Sequence, residues 1–468
     1  MSITPLGIVT GLSDDESALI EALQDQLAHF AVANFEANAY YEAKKVLESP
    51  GFTIPQDVAT RLAPVAGAPG TVVDVLDERL EFLGWDSAGD DFGLSEVYDD
   101  NELDAEAPML HLDALIYGVS FARVGAGDVS PLVTLHPPTT TTGLRDPVTR
   151  RLRAAWTTLE SRDDGEVERG VLDLADTSIT VELRGGRWTV VDRDDHRLGR
   201  VPVVQFANRP RSSRRWGRSE ITPAIRSLTE DMMRAGLGMN VNTMFYSIPQ
   251  LMILGRGQDA FTDRAGNPVS GWRILAGHAL AIDKDEDGDT PSVSQLSVAS
   301  PAPFIEQLRE FRMSIASEAG MPADYLGIQT SNPSSADAIR MGESRLVKRT
   351  QRRQSGFGRG WLEVARLALL VRDGAVPDGF AREVAVDWQA AETPTKAATA
   401  DELAKLIGAG VLSPDSGVVR KRLSLTRSEA RLLEVEQRRS SGSSLLEALR
   451  NRAGGDPAPA PVTDDFGG

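Results

Sequence analysis

The run ADAIRMGESRLVKRTQRRQSGFGRGWLEVARLALLVR, residues 336–372, reads as one long amphipathic helix. Ile339, Leu346, Phe357, Trp361, Val364, Ala365, Ala368 and Leu369 fall on an apolar stripe at helical spacing. Arg340, Arg345, Lys348, Arg349, Arg352, Arg353 and Arg359 occupy the other faces. If continuous, such a helix is about 55 Å long. Gly356, Gly358 and Gly360 predict a break or kink near its middle. Before it stand MPADYLG (321–327) and the polar loop IQTSNPSS (328–335). That loop has no apolar anchor after Ile328, Asn332-Pro333 favours a turn, and Ser334 or Ser335 can cap the helix. A basic helix suits either a solvated surface or a position beside a polyanion. The basic residues alone do not choose; the surrounding segments do.

Upstream, a helix is expected over 222–248, with Thr222 as N-cap and Pro223 at the first position. Ile221, Ile225, Leu228, Met232, Ala235 and Met239 form its stripe, and Gly236, Gly238, Asn240 and Asn242 permit close approach of a neighbouring helix. A second helix is expected over 301–320, with Phe304, Leu308, Phe311, Ile315 and Ala319 on one face and Gly320 as its stop. Between them lies a strand-rich insert, 249–300. The two helices are expected antiparallel, with the insert at one end and the polar loop near the other. Asp283-Lys284-Asp285-Glu286-Asp287-Gly288 matches the start of a calcium loop, but the position needing a bidentate acid falls on Ser294. An exposed acidic tip, without metal, is the expectation.

Towards the N-terminus, Ser13-Asp14-Asp15-Glu16 fits a capping box opening a helical segment that ends Ala39-Tyr40-Tyr41-Glu42-Ala43-Lys44, its paired tyrosines read as packing residues. Residues 49–70 read as a loop, TVVDVLDERLEFLGW (71–85) as a helix, and 92–117 as another. Residues 119–207 read as an antiparallel β region, with a turn at Arg145–Arg150 and a hairpin at Gly185-Gly186. His136 and His196 have no ligand pattern around them. After the long helix come a strand, EVAVDW, a set of short helices, and the low-complexity tail GGDPAPAPVTDDFGG. The fold class is α+β.

At 468 residues the chain should hold two or more structural units. Its 50 Lys and Arg against 68 Asp and Glu give a net charge of −18, which argues against a nonspecific nucleic-acid coat. There is no cysteine, hence no disulfide, thiolate metal site or thiol nucleophile. No secretory signal or membrane-spanning run is read, so a soluble protein made in a reducing compartment is expected. Phosphate-loop, zinc-protease and hydrolase-elbow motifs are missing, and the acidic clusters lie at turns. No catalysis and no cofactor are expected.

The order of parts resembles the portal proteins of tailed bacteriophages, of the SPP1 type (Gp6-like). The resemblance rests on YYEAK (40–44), VVDVLDERLEFLGW (72–85), ALIYGVSFARV (114–124), GRVPVVQFANRP (199–210), GRSEITPAIRSLTEDM (217–232), PQLMILG (249–255), MPADYLG, and the NPSSADAIRMGESRLVKRTQRRQSGFGRGW run. One departure is Ala43, where the family often has Gly. The resemblance implies a homo-oligomeric ring, usually a dodecamer, at one capsid vertex of the virion, assembled in the host cytoplasm. It implies a channel for double-stranded DNA packaging and ejection. Its partners would be the major capsid and scaffolding proteins, the terminase large subunit as motor, and the head-tail connector (adaptor); no membrane is involved. Residues 1–221, completed by 373–390, would form the wing; 222–248 and 301–320 the stem; 249–300 the clip; 391–450 the crown; and 451–468 a disordered tail. The tunnel loop, 321–335, would face DNA through Gln329, Thr330, Ser331, Asn332, Ser334 and Ser335, with the long helix behind it. In that helix Arg345, Lys348, Arg349, Arg352 and Arg353 either face DNA or pair with acidic neighbours in the ring. Pairing is favoured, because the chain carries excess acid and a strongly basic wall would slow DNA. The competing readings are a nucleic-acid-binding capsid scaffold or adaptor without a conduit and, more remotely, a carboxylate nuclease.

Overall fold

The computed structural model describes residues 11–47, 64, 66–87, 91–162, 165–246, 251–254, 292–295, 300–328, 336–392, 396–414 and 416–423, with 429, 432 and 433. The chain divides into two units, Met1–Ala391 and Glu392–Gly468.

The first unit opens with α1 (Asp14–Tyr41), and its capping box is complete. The Glu16 amide donates to Ser13 Oγ at 3.2 Å and the Ser13 amide to Glu16 Oε2 at 2.8 Å. The acids Asp14, Asp15 and Glu16 sit where the first-turn amides favour negative charge. At the far end the Lys44 amide donates to the Ala39 carbonyl at 2.8 Å, and Ala43 adopts φ 54°, the left-handed position that closes many helices. Glycine would hold that conformation without a Cβ clash.

Next comes α2 (Ala68–Asp77), and the helix expected to run on to residue 85 ends there. Residues Phe82–Ser87 instead form strand β1. The reason is tertiary: β1 pairs antiparallel with a late strand, β12 (Val384–Trp388), from Phe82↔Trp388 to Ser87↔Val384, with an irregularity at Gly84. Cross-strand pairing overrides the helical spacing of the local sequence. The expected helix over 92–117 is likewise two, α3 (Leu94–Asp100) and α4 (Leu103–Tyr117). They are separated at Asn101-Glu102, where Glu102 has φ 47°. Asn101 Nδ2 donates to the carbonyls of Val97 (2.8 Å) and Pro131 (2.9 Å), and its Oδ1 accepts from the Val133 amide (2.7 Å). One side chain therefore substitutes for the helical bonds lost at the corner.

The β region is antiparallel, as expected, but splits into two sheets. Strands β2 (Val119–Gly125), β3 (Leu132–His136) and β9 (Val203–Ala207) make one, in the order β3-β2-β9. Strands β4 (Thr141–Arg145), β5 (Leu152–Ser161), β6 (Val167–Asp173), β7 (Ser178–Arg184) and β8 (Arg187–Asp194) make a meander. The Gly185-Gly186 turn joins β7 to β8, both glycines having positive φ. Trp156, Leu172 and Ile179 of the meander pack with Ile20 and Leu23 of α1.

Helices α5 (Pro223–Tyr246) and α6 (Ala302–Ala319) follow, with short strands β10 (Leu251–Leu254) and β11 (Ser292–Gln295) paired antiparallel between them. Late in α5, Gly238 lies against Phe304 near the start of α6, so the helices run antiparallel. A Cβ on Gly238 would stand 2.7 Å from the Phe304 ring, and one on Gly236 2.9 Å from Pro64. These small residues thus serve contacts within the chain. The calcium-like sequence 283–288 and the rest of the insert lie outside the described residues.

The long helix, α7 (Ala336–Asp373), is unbroken, contrary to the break expected at its three glycines. Two of them are small because sheets press on the helix there. A Cβ on Gly360 would meet the Phe206 ring of β9 at 2.6 Å, and one on Gly358 would meet Trp388 of β12 at 3.3 Å. Gly356 faces open space. Phe357, Trp361, Val364 and Ala368 of α7 lie in the main core with Val72, Leu76, Leu110, Leu115 and Phe206. Trp361 stacks on Phe82 of β1, with centroids 4.4 Å apart and planes at 9°. A four-residue helix, α8 (Phe380–Glu383), leads into β12.

In the second unit, helices α9 (Lys396–Gly408) and α10 (Gly417–Arg422) are described. The tail, 451–468, lies outside the described residues.

Candidate functional site

The middle of α7 carries a dense electrostatic group. Glu220, between β9 and α5, is fully buried. Its carboxylate accepts from Arg349 at 2.6 Å, from Asn208 Nδ2 at 3.0 Å, and from Arg353, with Arg209 at 3.5 Å. Burial opposes the charge on Glu220, but Arg353 and Arg349 outweigh it and hold the carboxyl below its usual range. Burial pulls Arg349 down, and Glu220 offsets part of that. Breaking such a group by removing one partner is costly, because the others stay buried with uncompensated charge.

Two of the five basic residues singled out in α7 are therefore tied to an acid of their own chain. The remaining three differ. Arg345 is exposed and donates to the Ser317 carbonyl of α6 at 3.3 Å. Lys348 is exposed. Arg352 is exposed and borders a cleft of about 540 Å³, which Arg209, Arg211, Arg214, Arg218 and Arg353 also line.

The approach to the polar loop is anchored at a second group. A 3₁₀ turn, Ala323–Leu326, precedes the loop, and its Tyr325 hydroxyl donates to Glu343 of α7 at 2.9 Å. Arg79 donates to both, at 2.8 Å to Tyr325 and 3.1 Å to Glu343, and to the Ala391 carbonyl at 3.0 Å. Ile328 is buried. Gln329, Thr330, Ser331, Asn332, Ser334 and Ser335 lie outside the described residues.

A third group escaped the sequence reading. His111 of α4 is fully buried, its Nδ1 3.2 Å from the Leu80 carbonyl. Trp361 Nε1 donates to its Nε2 at 2.9 Å. The ring is therefore the neutral tautomer with its proton on Nδ1, and burial pushes its pKa down to about 3. It stacks on Phe357 at 5.2 Å. Of the histidines weighed for ligation, His136 Nε2 bonds Thr134 at 2.9 Å and His196 Nδ1 accepts from the Leu198 amide at 3.3 Å. Among the described residues no group of three His, Asp or Glu could hold a metal ion, and no helix is long and apolar enough to cross a membrane.

The groups around α7 fall inside a longer match. Residues 71–443 match the family model described as phage portal protein, SPP1 Gp6-like. The chain belongs to the SPP1 Gp6-like portal family. This portal chain is 32% identical over 407 residues to the portal protein of Mycobacterium phage D29, covering 84% of itself and 81% of that relative. It is also 32% identical over 386 residues to the portal protein of Mycobacterium phage L5, covering 80% and 78%. Among solved structures it is similar to a chain of the virion of a native gene transfer agent particle, with TM-score 0.41 and 16% identity over 84% of this portal chain and 94% of the other. A chain from the neck of that particle gives TM-score 0.43 and 15% identity, over 77% and 90%.

Proposed function

We propose that the chain is the portal subunit of a tailed-phage virion, a ring that forms the DNA channel at one capsid vertex. The observation that carries this is the family match over residues 71–443, which takes in the helix pair, the insert between it and the long helix in one run. The ring is homo-oligomeric, a dodecamer by the family pattern. Helices α5 and α6 are its stem, the insert its clip, and residues 321–335 its tunnel loop. The clip docks the terminase large subunit during packaging and the connector afterwards. The chain itself supplies passage and docking without covalent chemistry.

The loop residues Gln329, Thr330, Ser331, Asn332, Ser334 and Ser335 suit a sliding surface, since they can donate hydrogen bonds to phosphates but carry no charge to grip them. Electron microscopy of purified particles tests the reading. Closed rings with a central channel are expected. A monomer with salt-sensitive DNA affinity would instead favour an adaptor.

A further inference from the structure

The chain's charge is strongly segregated. Between residues 71 and 117 fourteen carboxylates stand against one cation, Arg79. Between 209 and 218 five arginines stand without an acid. The acidic segment includes the α3–α4 corner, where Asp99, Asp100, Glu102 and Asp104 are exposed. Glu102 holds a left-handed backbone that non-glycine residues seldom adopt, and Asn101 clamps the corner to Pro131 and Val133. The corner is therefore preformed, with its acids exposed. The basic segment walls the six-arginine cleft beside α7, and no acid is among the described residues that line it; the buried Glu220 that Arg353 reaches is also committed to Arg349. Arg353 keeps its Nε buried and without a partner at the cleft wall.

These two surfaces cannot meet within one chain. The corner is tied to the start of β3, whose Leu132 pairs with Gly125 at one end of β2. The cleft lies beside Ala207 of β9, which pairs with Val119 at the other end of β2. Corner and cleft thus sit on opposite edges of the three-stranded sheet, displaced by about 20 Å along β2 at about 3.4 Å per residue. Two different patches on opposite sides of one subunit are what a head-to-tail contact requires, and repetition of that contact gives a ring when the rotation between neighbours closes.

We propose that the acidic α3–α4 corner of one subunit seats in the arginine cleft of the next. This rests on the portal reading and deepens it by naming the surfaces that join neighbours. A second copy of the chain is favoured over DNA as occupant. The cleft's 540 Å³ admits a few side chains rather than a duplex, and the carboxylate excess supplies a matching partner in every subunit.

The test is a charge swap read by native mass spectrometry and sedimentation. Arg211→Glu with Arg352→Glu alters the cleft at two exposed positions and leaves Arg353 and Glu220 in place. Asp99→Lys with Asp100→Lys alters the corner in the last turn of α3, where cations suit the helix end. Each pair alone should raise the subunit concentration needed for rings by about ten-fold or more, and all four together should restore assembly. If the glutamates lower the melting temperature of the subunit, Arg211→Ser with Arg352→Gln should weaken assembly in the same direction. Parental-like rings from either pair, or no recovery in the fourfold variant, overturn the contact. Intact rings with reduced DNA retention in the cleft variant assign the cleft to DNA and also overturn it. A parental protein that forms no ring overturns the portal reading itself.

Discussion

Glu220 and Arg353 stand 133 residues apart in the chain and meet as a buried ion pair, with Arg349 on the other carboxylate oxygen. Glu220 precedes α5 and Arg353 sits mid-way along α7, so the pair fixes the start of α5 against the long helix. Glu220→Gln would leave two arginines with their charge unbalanced. We predict a loss of about 3–5 kcal/mol in urea unfolding of the first unit. A loss below 1 kcal/mol would mean that solvent reaches the group.

The three glycines of α7 should separate cleanly. Gly360→Ala drives a methyl into the Phe206 ring, a collision worth about 1–3 kcal/mol. Gly356→Ala meets nothing and should stabilise the helix by about 0.5–1 kcal/mol. Thermal melts of the two variants should shift in opposite directions.

Ala43→Gly is predicted to stabilise the protein. Ala43 holds φ 54° at the end of α1, where a Cβ is strained, and relief is worth about 1 kcal/mol less the flexibility glycine adds to the unfolded chain. A raised melting temperature checks it, and a lowered one would show that the Ala43 methyl packs usefully.

His111 should give the fold an acid limit. Its folded pKa of about 3 lies below the usual 6.5, so below pH 6.5 the unfolded chain takes up a proton that the folded chain refuses. Stability is therefore full above about pH 6.5 and falls as pH drops towards 3, by up to about 1.4 kcal/mol per pH unit from this group. His111→Gln should flatten that part of the profile while lowering stability at pH 8 through lost stacking on Phe357.

If residues 321–335 are the proposed tunnel loop, Gln329→Lys with Ser331→Lys should give an uncharged segment the charge to grip phosphate. DNA retention in assembled particles should become strongly salt-dependent. Ejection rates that match the parent at low salt would remove the loop from the DNA path.

Local patterns foretold the helices that are local in origin: the capping box at Ser13, the Pro223 start of α5 and the Gly320 stop of α6 each need only neighbours in sequence. The β1 error had a non-local cause, since Phe82–Ser87 is a strand only because Val384–Trp388 lies beside it. The same holds for the glycines of α7, which local rules read as a hinge and which instead admit Phe206 and Trp388. Glu220 and His111 carried no signal of their own. A lone acid before a helix and a lone histidine in one are ordinary, and their partners are distant in the chain. The resemblance supplied the assembly, which no single subunit's residues spell out.

The pairing of β1 with β12 also dictates an order of events during synthesis. Phe82 and Trp85 can shed water against Trp361 and Trp388 only after the ribosome has made nearly three hundred further residues. Until then Phe82 and Trp85 have Tyr98 to pack on but not the two tryptophans, while the meander of β4–β8, built from adjacent hairpins, can already be in place. Completion of the first unit is thus a late step, and a ribosome that stalls before Val384 releases a chain without a finished core.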